Sequence, residues 1–125
     1  VVWLLSYPET IKEGVECALQ YFNENDILII EGNSFLSVHD ADIAVLVARP
    51  AHKEIKKSAS LILDKIDVAV INKDENHSAA HSEQTRKWLK DIGVDVPTIE
   101  IAPFTDNPIL LNDTPIGKIF GRIFR

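Results

Sequence analysis

The sequence predicts an α/β fold: three layers, a mainly parallel β-sheet with helices on both faces. Three observations carry that expectation. Short apolar runs recur along the chain and are continuous rather than alternating, as in strands covered on both faces. Stretches with apolar residues every three or four positions lie between several of them, as in amphipathic helices. Polar turns rich in Gly, Asn and Asp close the runs. Strand–helix–strand alternation implies crossover connections, and hence parallel pairing.

Residues 1–5 (Val-Val-Trp-Leu-Leu) read as a first short strand. Ser6, Pro8 and Glu9 then mark a helix start with Ser6 as its cap, and the stripe Ile11, Val15, Ala18, Leu19 and Phe22 gives the helix its inner face. Residues 23–26 break it. Residues 27–30 (Ile-Leu-Ile-Ile) are a buried strand, followed by Glu31-Gly32-Asn33 at its carboxyl end. A polar stretch without helical periodicity leads to a third strand over 42–48, closed by Arg49-Pro50. A helix over 53–63 turns Ile55, Ala59, Ile62 and Leu63 inward, and a fourth strand follows over 67–71. A strong helix over 78–92 stops at Gly93, and a fifth strand covers 96–102, interrupted by Pro97 and Glu100. In the tail, 108–112 suits an edge strand and 116–124 a terminal helix or strand. No repeat or linker divides the chain, so residues 1–125 read as one domain, with 103–125 as a C-terminal extension.

The 125 residues are 46% hydrophobic and 26% charged, ordinary material for a packed core. The net charge of -6 disfavours nucleic acid and anionic lipid, which repel carboxylates. No apolar run reaches the roughly 20 residues that span a bilayer, so neither a membrane nor nucleic acid is expected as a partner. Cys17 stands alone, which excludes an internal disulfide, favours a reducing compartment and suits a packing role in its helix. The expected location is the cytoplasm. Methionine is absent and the chain opens on an apolar run, as a segment of a longer protein would.

In open α/β sheets, ligands sit beyond the carboxyl ends of the strands. Two polar clusters fall there. Glu31-Gly32 follows the strand at 27–30; a carboxylate there can hold a magnesium-bound water, and a glycine lets a phosphate approach. The same letters also describe a strand end and a turn. Asn72-Lys73-Asp74-Glu75 follows the strand at 67–71. In an Asn-Lys-x-acid loop the lysine stem packs along a purine, and the acid accepts hydrogen bonds from the guanine edge. Here that acid is Glu75, one methylene longer than aspartate. An ordinary strand-to-helix turn accounts for the same composition. Glu31 with Asp40 and Asp42 has the letters of a Toprim magnesium site, but the two aspartates lie at the start of their strand, not after it, and too close to Glu31. His77 and His81 share a helix face without a third ligand. The serines lie in no nucleophile elbow.

With its strand, Glu-Gly, strand, helix, strand, Asn-Lys-x-acid order, the chain resembles the SIMIBI class of P-loop GTPases. Within that class it is most similar to the molybdopterin-guanine dinucleotide biosynthesis protein B (MobB) family, over residues 1–102. The resemblance implies a P-loop NTPase-like fold lacking its first strand and phosphate loop. It also implies a GTP-binding accessory protein of molybdenum-cofactor biosynthesis. Glu31 then takes the Walker B position as catalytic carboxylate and water-mediated magnesium ligand, and Gly32, Asn72, Lys73, Glu75 and Ala102 take nucleotide-binding positions. Implied cofactors are magnesium and GTP. Implied partners are a guanine nucleotide and a molybdenum-cofactor biosynthesis protein, and a homodimer is admitted. The family's Gly-x-x-x-x-Gly-Lys-Ser/Thr loop is absent: the single Gly-Lys pair, Gly117-Lys118, has Asn112 and Ile119 where glycine and a hydroxyl belong. As it stands the chain is therefore not expected to hydrolyse GTP, and GTPase activity is expected only if such a loop lies upstream. The alternative is a non-catalytic α/β interaction or regulatory domain with a degenerate nucleotide site.

Overall fold

The structure, a computed structural model, describes residues 1–50, 53–73, 76, 78–102 and 117. It divides into two compact units, Val1–Ala41 with Lys56–Ile62, and Asp42–Ile55 with Leu63–Arg125.

In the first unit a 3-10 turn, Pro8–Thr10, leads into helix α1, Ile11–Leu19. Proline fixes the backbone angle that opens such a turn. The expected Ser6 cap is not made: its hydroxyl bonds Thr10 Oγ1 at 2.9 Å instead. Val15 is buried on the expected stripe, with Ile11, Ala18 and Leu19 half-buried. Phe22 and Cys17 are exposed, which corrects the inward placement expected of both. Two further short helices follow, α2 over Asn33–Leu36 and α3 over Lys57–Ser60.

The strands expected over 1–5 and 27–30 do not form. Trp3, Leu5 and Ile29 are almost wholly exposed, and neither run joins the sheet. An apolar run becomes a strand only where a neighbour accepts its backbone hydrogen bonds. The helix expected over 53–63 shrinks to α3 and a separate 3-10 turn, Leu63–Lys65, which falls in the other unit. Lys56 is extended and caps α3, and Ser60 Oγ donates to Lys57 O at 2.8 Å, a local bond that competes with continued helix. Ala59 and Ile62 are nevertheless buried, as their spacing predicts.

The second unit holds a three-stranded parallel sheet, which bears out the general α/β expectation. Its strands are β1, Val45–Ala48; β2, Val68–Asn72; and β3, Thr98–Ile101, with β2 central. The strand at 42–48 is shortened at its start because Asp67 intervenes. Its carboxylate accepts the Ala44 N–H at 2.7 Å, while its own N–H donates to Ala44 O. Helix α4, Ala79–Asp91, lies within the range its periodicity predicts. Ser78 starts it through a reciprocal pair with His81, its N–H donating to His81 Nδ1 at 3.2 Å. Gly93, at φ +93°, ends it, and Val94 N–H returns to Leu89 O at 2.8 Å as in a Schellman closure.

Register fixes the two faces of the sheet. Val70 lies beside Ile99, and with Val68 they form a buried cluster that Ile101 packs against. Val45 and Val47 continue this face on β1 and are exposed. Ala69 and Ile71 lie beside Thr98 and Glu100 on the other face, where Arg86 of α4 reaches both β3 residues. Ser82, Thr85 and Leu89 are the buried positions of α4. Among the described residues, no helix is long and apolar enough to cross a membrane. The tail elements expected over 108–112 and 116–124 lie outside the described residues, apart from Gly117.

Candidate functional site at the carboxyl rim of the sheet

Parallel pairing of β2 and β3 brings their carboxyl ends together. Asn72 ends β2 opposite Ile101 and is exposed. Lys73 continues the ladder by one bond, its N–H donating to Ile101 O at 2.8 Å. Ala102 follows directly on β3 and is half-buried. Three of the expected nucleotide-binding residues, Asn72, Lys73 and Ala102, therefore share one rim. Glu75 and its neighbour Asp74 lie outside the described residues, as does His77.

Lys73 is held at both ends. Beyond its backbone bond to β3, its Nζ lies 2.8 Å from Glu100 Oε2. The other carboxylate oxygen, Oε1, accepts from Arg86 Nη2 at 2.8 Å, and Arg86 Nη1 donates to Thr98 O at 3.1 Å. Two cations thus flank one anion, tied through Arg86 to the strand backbone. The Lys73 ammonium holds the Glu100 carboxyl down at about 2, against an ordinary 4.5. Partial burial works in the opposite direction, and Arg86 and the Ser82 hydroxyl help to lower it. Ser82 is buried, and its Oγ makes no hydrogen bond of ordinary geometry among the described residues.

The sequence reading missed Glu100 and Arg86. A signal was there: a carboxylate inside a short apolar strand must be paired to be retained. Glu100 counts as an interruption if β3 is read alone, and as a site residue once a partner on the neighbouring elements is sought.

Glu31 and Gly32 belong to the first unit, where both are exposed. Gly32 caps α2 at φ +137°, a conformation L side chains rarely adopt, and no described atom lies within 4 Å of where a Cβ would stand. Space is open there, but the backbone demands glycine. Gly32→Ala is expected to weaken this corner by about 1 kcal/mol. Amide exchange at Ser37, Val38 and His39, which donate to Ser34 and Phe35 carbonyls, should then quicken several-fold; unchanged exchange would remove the strain argument.

Among the described residues, no three His, Cys, Asp or Glu side chains converge on a metal position. Glu31, the carboxylate expected to hold magnesium through water, is an exposed side chain of the first unit. The rim itself holds a fixed lysine stem, an exposed amide and a buried hydroxyl, which suit recognition rather than bond-making. Comparison with protein-family models, curated proteins and solved structures gives no match to this chain.

Proposed function

We propose that this chain binds a guanine nucleotide with magnesium, as a cytoplasmic accessory protein of molybdenum-cofactor biosynthesis. In this reading Asn72, Lys73 and Glu75 face the base, with Ala102 beside it. Glu31 reaches magnesium through water, and Gly32 leaves room for a phosphate. The pathway and the magnesium role rest on the MobB-family resemblance.

The observation that carries the base-binding part is the fixed Lys73 side chain at the carboxyl rim. Its ammonium is already neutralised by Glu100 at 2.8 Å, so the residue is poorly suited to attract a phosphate. What it offers is its aliphatic stem, a flat apolar strip of the kind that packs along a purine. The 125 residues contain no phosphate loop, so the reading is binding without hydrolysis by this chain.

Titration calorimetry with GTP and magnesium tests it. Lys73→Ala should weaken binding about tenfold, the equivalent of roughly 1.4 kcal/mol of stem–base contact. Equal affinity in the parent and the variant removes the base-loop assignment.

A further inference from the structure

We infer that Glu100, itself held by Arg86, is a positioning residue that pre-forms the Lys73 side chain for a purine base, and that its effect on nucleotide affinity passes wholly through Lys73. This rests on the base-binding reading above and adds to it a residue outside the Asn-Lys-x-acid loop.

A lysine stem has four rotatable bonds, and freezing it on binding costs rotamer freedom. Here much of that freedom is already lost before any ligand arrives. The backbone end is fixed by the Lys73 N–H bond to Ile101 O at 2.8 Å, and the far end by the ammonium on Glu100 Oε2 at 2.8 Å. Both anchors lie on β3, so the stem spans from β2 toward its neighbour along the rim. Glu100 is in turn prevented from following the lysine outward. Its second oxygen is bonded to Arg86, and Arg86 is bonded to the Thr98 carbonyl. Each link is only partly exposed, with about a quarter to a third of each side chain open to solvent. A stem arranged before binding saves the ordering cost at the moment of binding.

A double-mutant cycle tests the inference, together with a measurement that needs no nucleotide. Glu100→Gln should weaken GTP binding about fivefold in the parent background, with Glu100→Asp recovering part of the loss. In the Lys73→Ala background the same change should shift affinity less than twofold, because the residue it acts through is gone. In parallel, side-chain NMR relaxation of the Lys73 ε-methylene, recorded without ligand, should show an ordered stem in the parent and a mobile one in Glu100→Gln. Circular dichroism confirms that each variant is folded. An equally mobile stem in parent and Glu100→Gln overturns the pre-forming role whatever binds. An equal loss of affinity in both backgrounds overturns the claim that Glu100 acts through Lys73. An ordered stem that loosens in Glu100→Gln, in a protein that does not bind GTP, overturns the base-binding reading and the positioning role with it while leaving the ion pair intact.

Discussion

Ile71→Ala is expected to destabilise the sheet unit by about 2–5 kcal/mol, a large share of the roughly 5–15 kcal/mol that holds a typical domain folded. Ile71 is fully buried and sits on β2, the central strand, between Ala48 of β1 and Glu100 of β3 in the ladder. Truncation removes three carbon atoms from a position with a strand on each side. Backbone pairing on both flanks keeps the strands from closing over the gap, so the loss of apolar transfer is joined by a cavity term. Val47→Ala is the control: it shortens a side chain on the same sheet that is 62% exposed, and should cost no more than about 0.5 kcal/mol. Urea denaturation followed by far-ultraviolet circular dichroism measures both. A loss below 1 kcal/mol for Ile71→Ala would mean that β2 is not the centre of this core.

The same contrast shows what the sequence could and could not convey. Residues 68–71 form a continuous apolar run, and β2 is the central strand, buried at every position but its last. Helix α4 was legible because its caps are local: Ser78 with His81 at one end and Gly93 at the other. Residues 27–30 have equally strong strand letters and form no ladder, since pairing depends on a neighbour that a local pattern does not contain. The helix expected over 53–63 is cut short at both ends of α3: Lys56 is extended before it, and the Ser60 hydroxyl takes the Lys57 carbonyl in its last turn. At the site, Asn72, Lys73 and Ala102 were legible because a parallel sheet places successive strand ends on one rim. Glu100 and Arg86 were not, because an ion pair between a strand and the helix before it leaves no contiguous motif, only two charges fourteen positions apart.

That ion pair predicts how stability depends on acidity. The Glu100 carboxyl, near 4.5 in the unfolded chain, lies at about 2 in the fold, chiefly because Lys73 bonds its ionised form. A depressed carboxyl stabilises the fold wherever it is ionised in both states, so the contribution is complete above about pH 5 and is lost as pH falls from about 4.5 toward 2. The full shift corresponds to a ceiling of about 3 kcal/mol, and solvent screening at a partly open rim reduces this to about 1–2 kcal/mol. Glu100→Gln removes the titrating group and leaves two cations, Lys73 and Arg86, without their shared anion. Its stability deficit should therefore be about 1–2 kcal/mol at pH 7 and should shrink steadily below pH 4.5, with the two proteins converging near pH 2. Raising the salt at pH 7 should narrow the gap only in part, because the carboxylate is three-quarters covered. Denaturation curves at pH 7, 4 and 2 decide the matter. A deficit of the same size at pH 7 and pH 2 would show that glutamate contributes shape alone, and that its charge does not hold Lys73 and Arg86 at the rim.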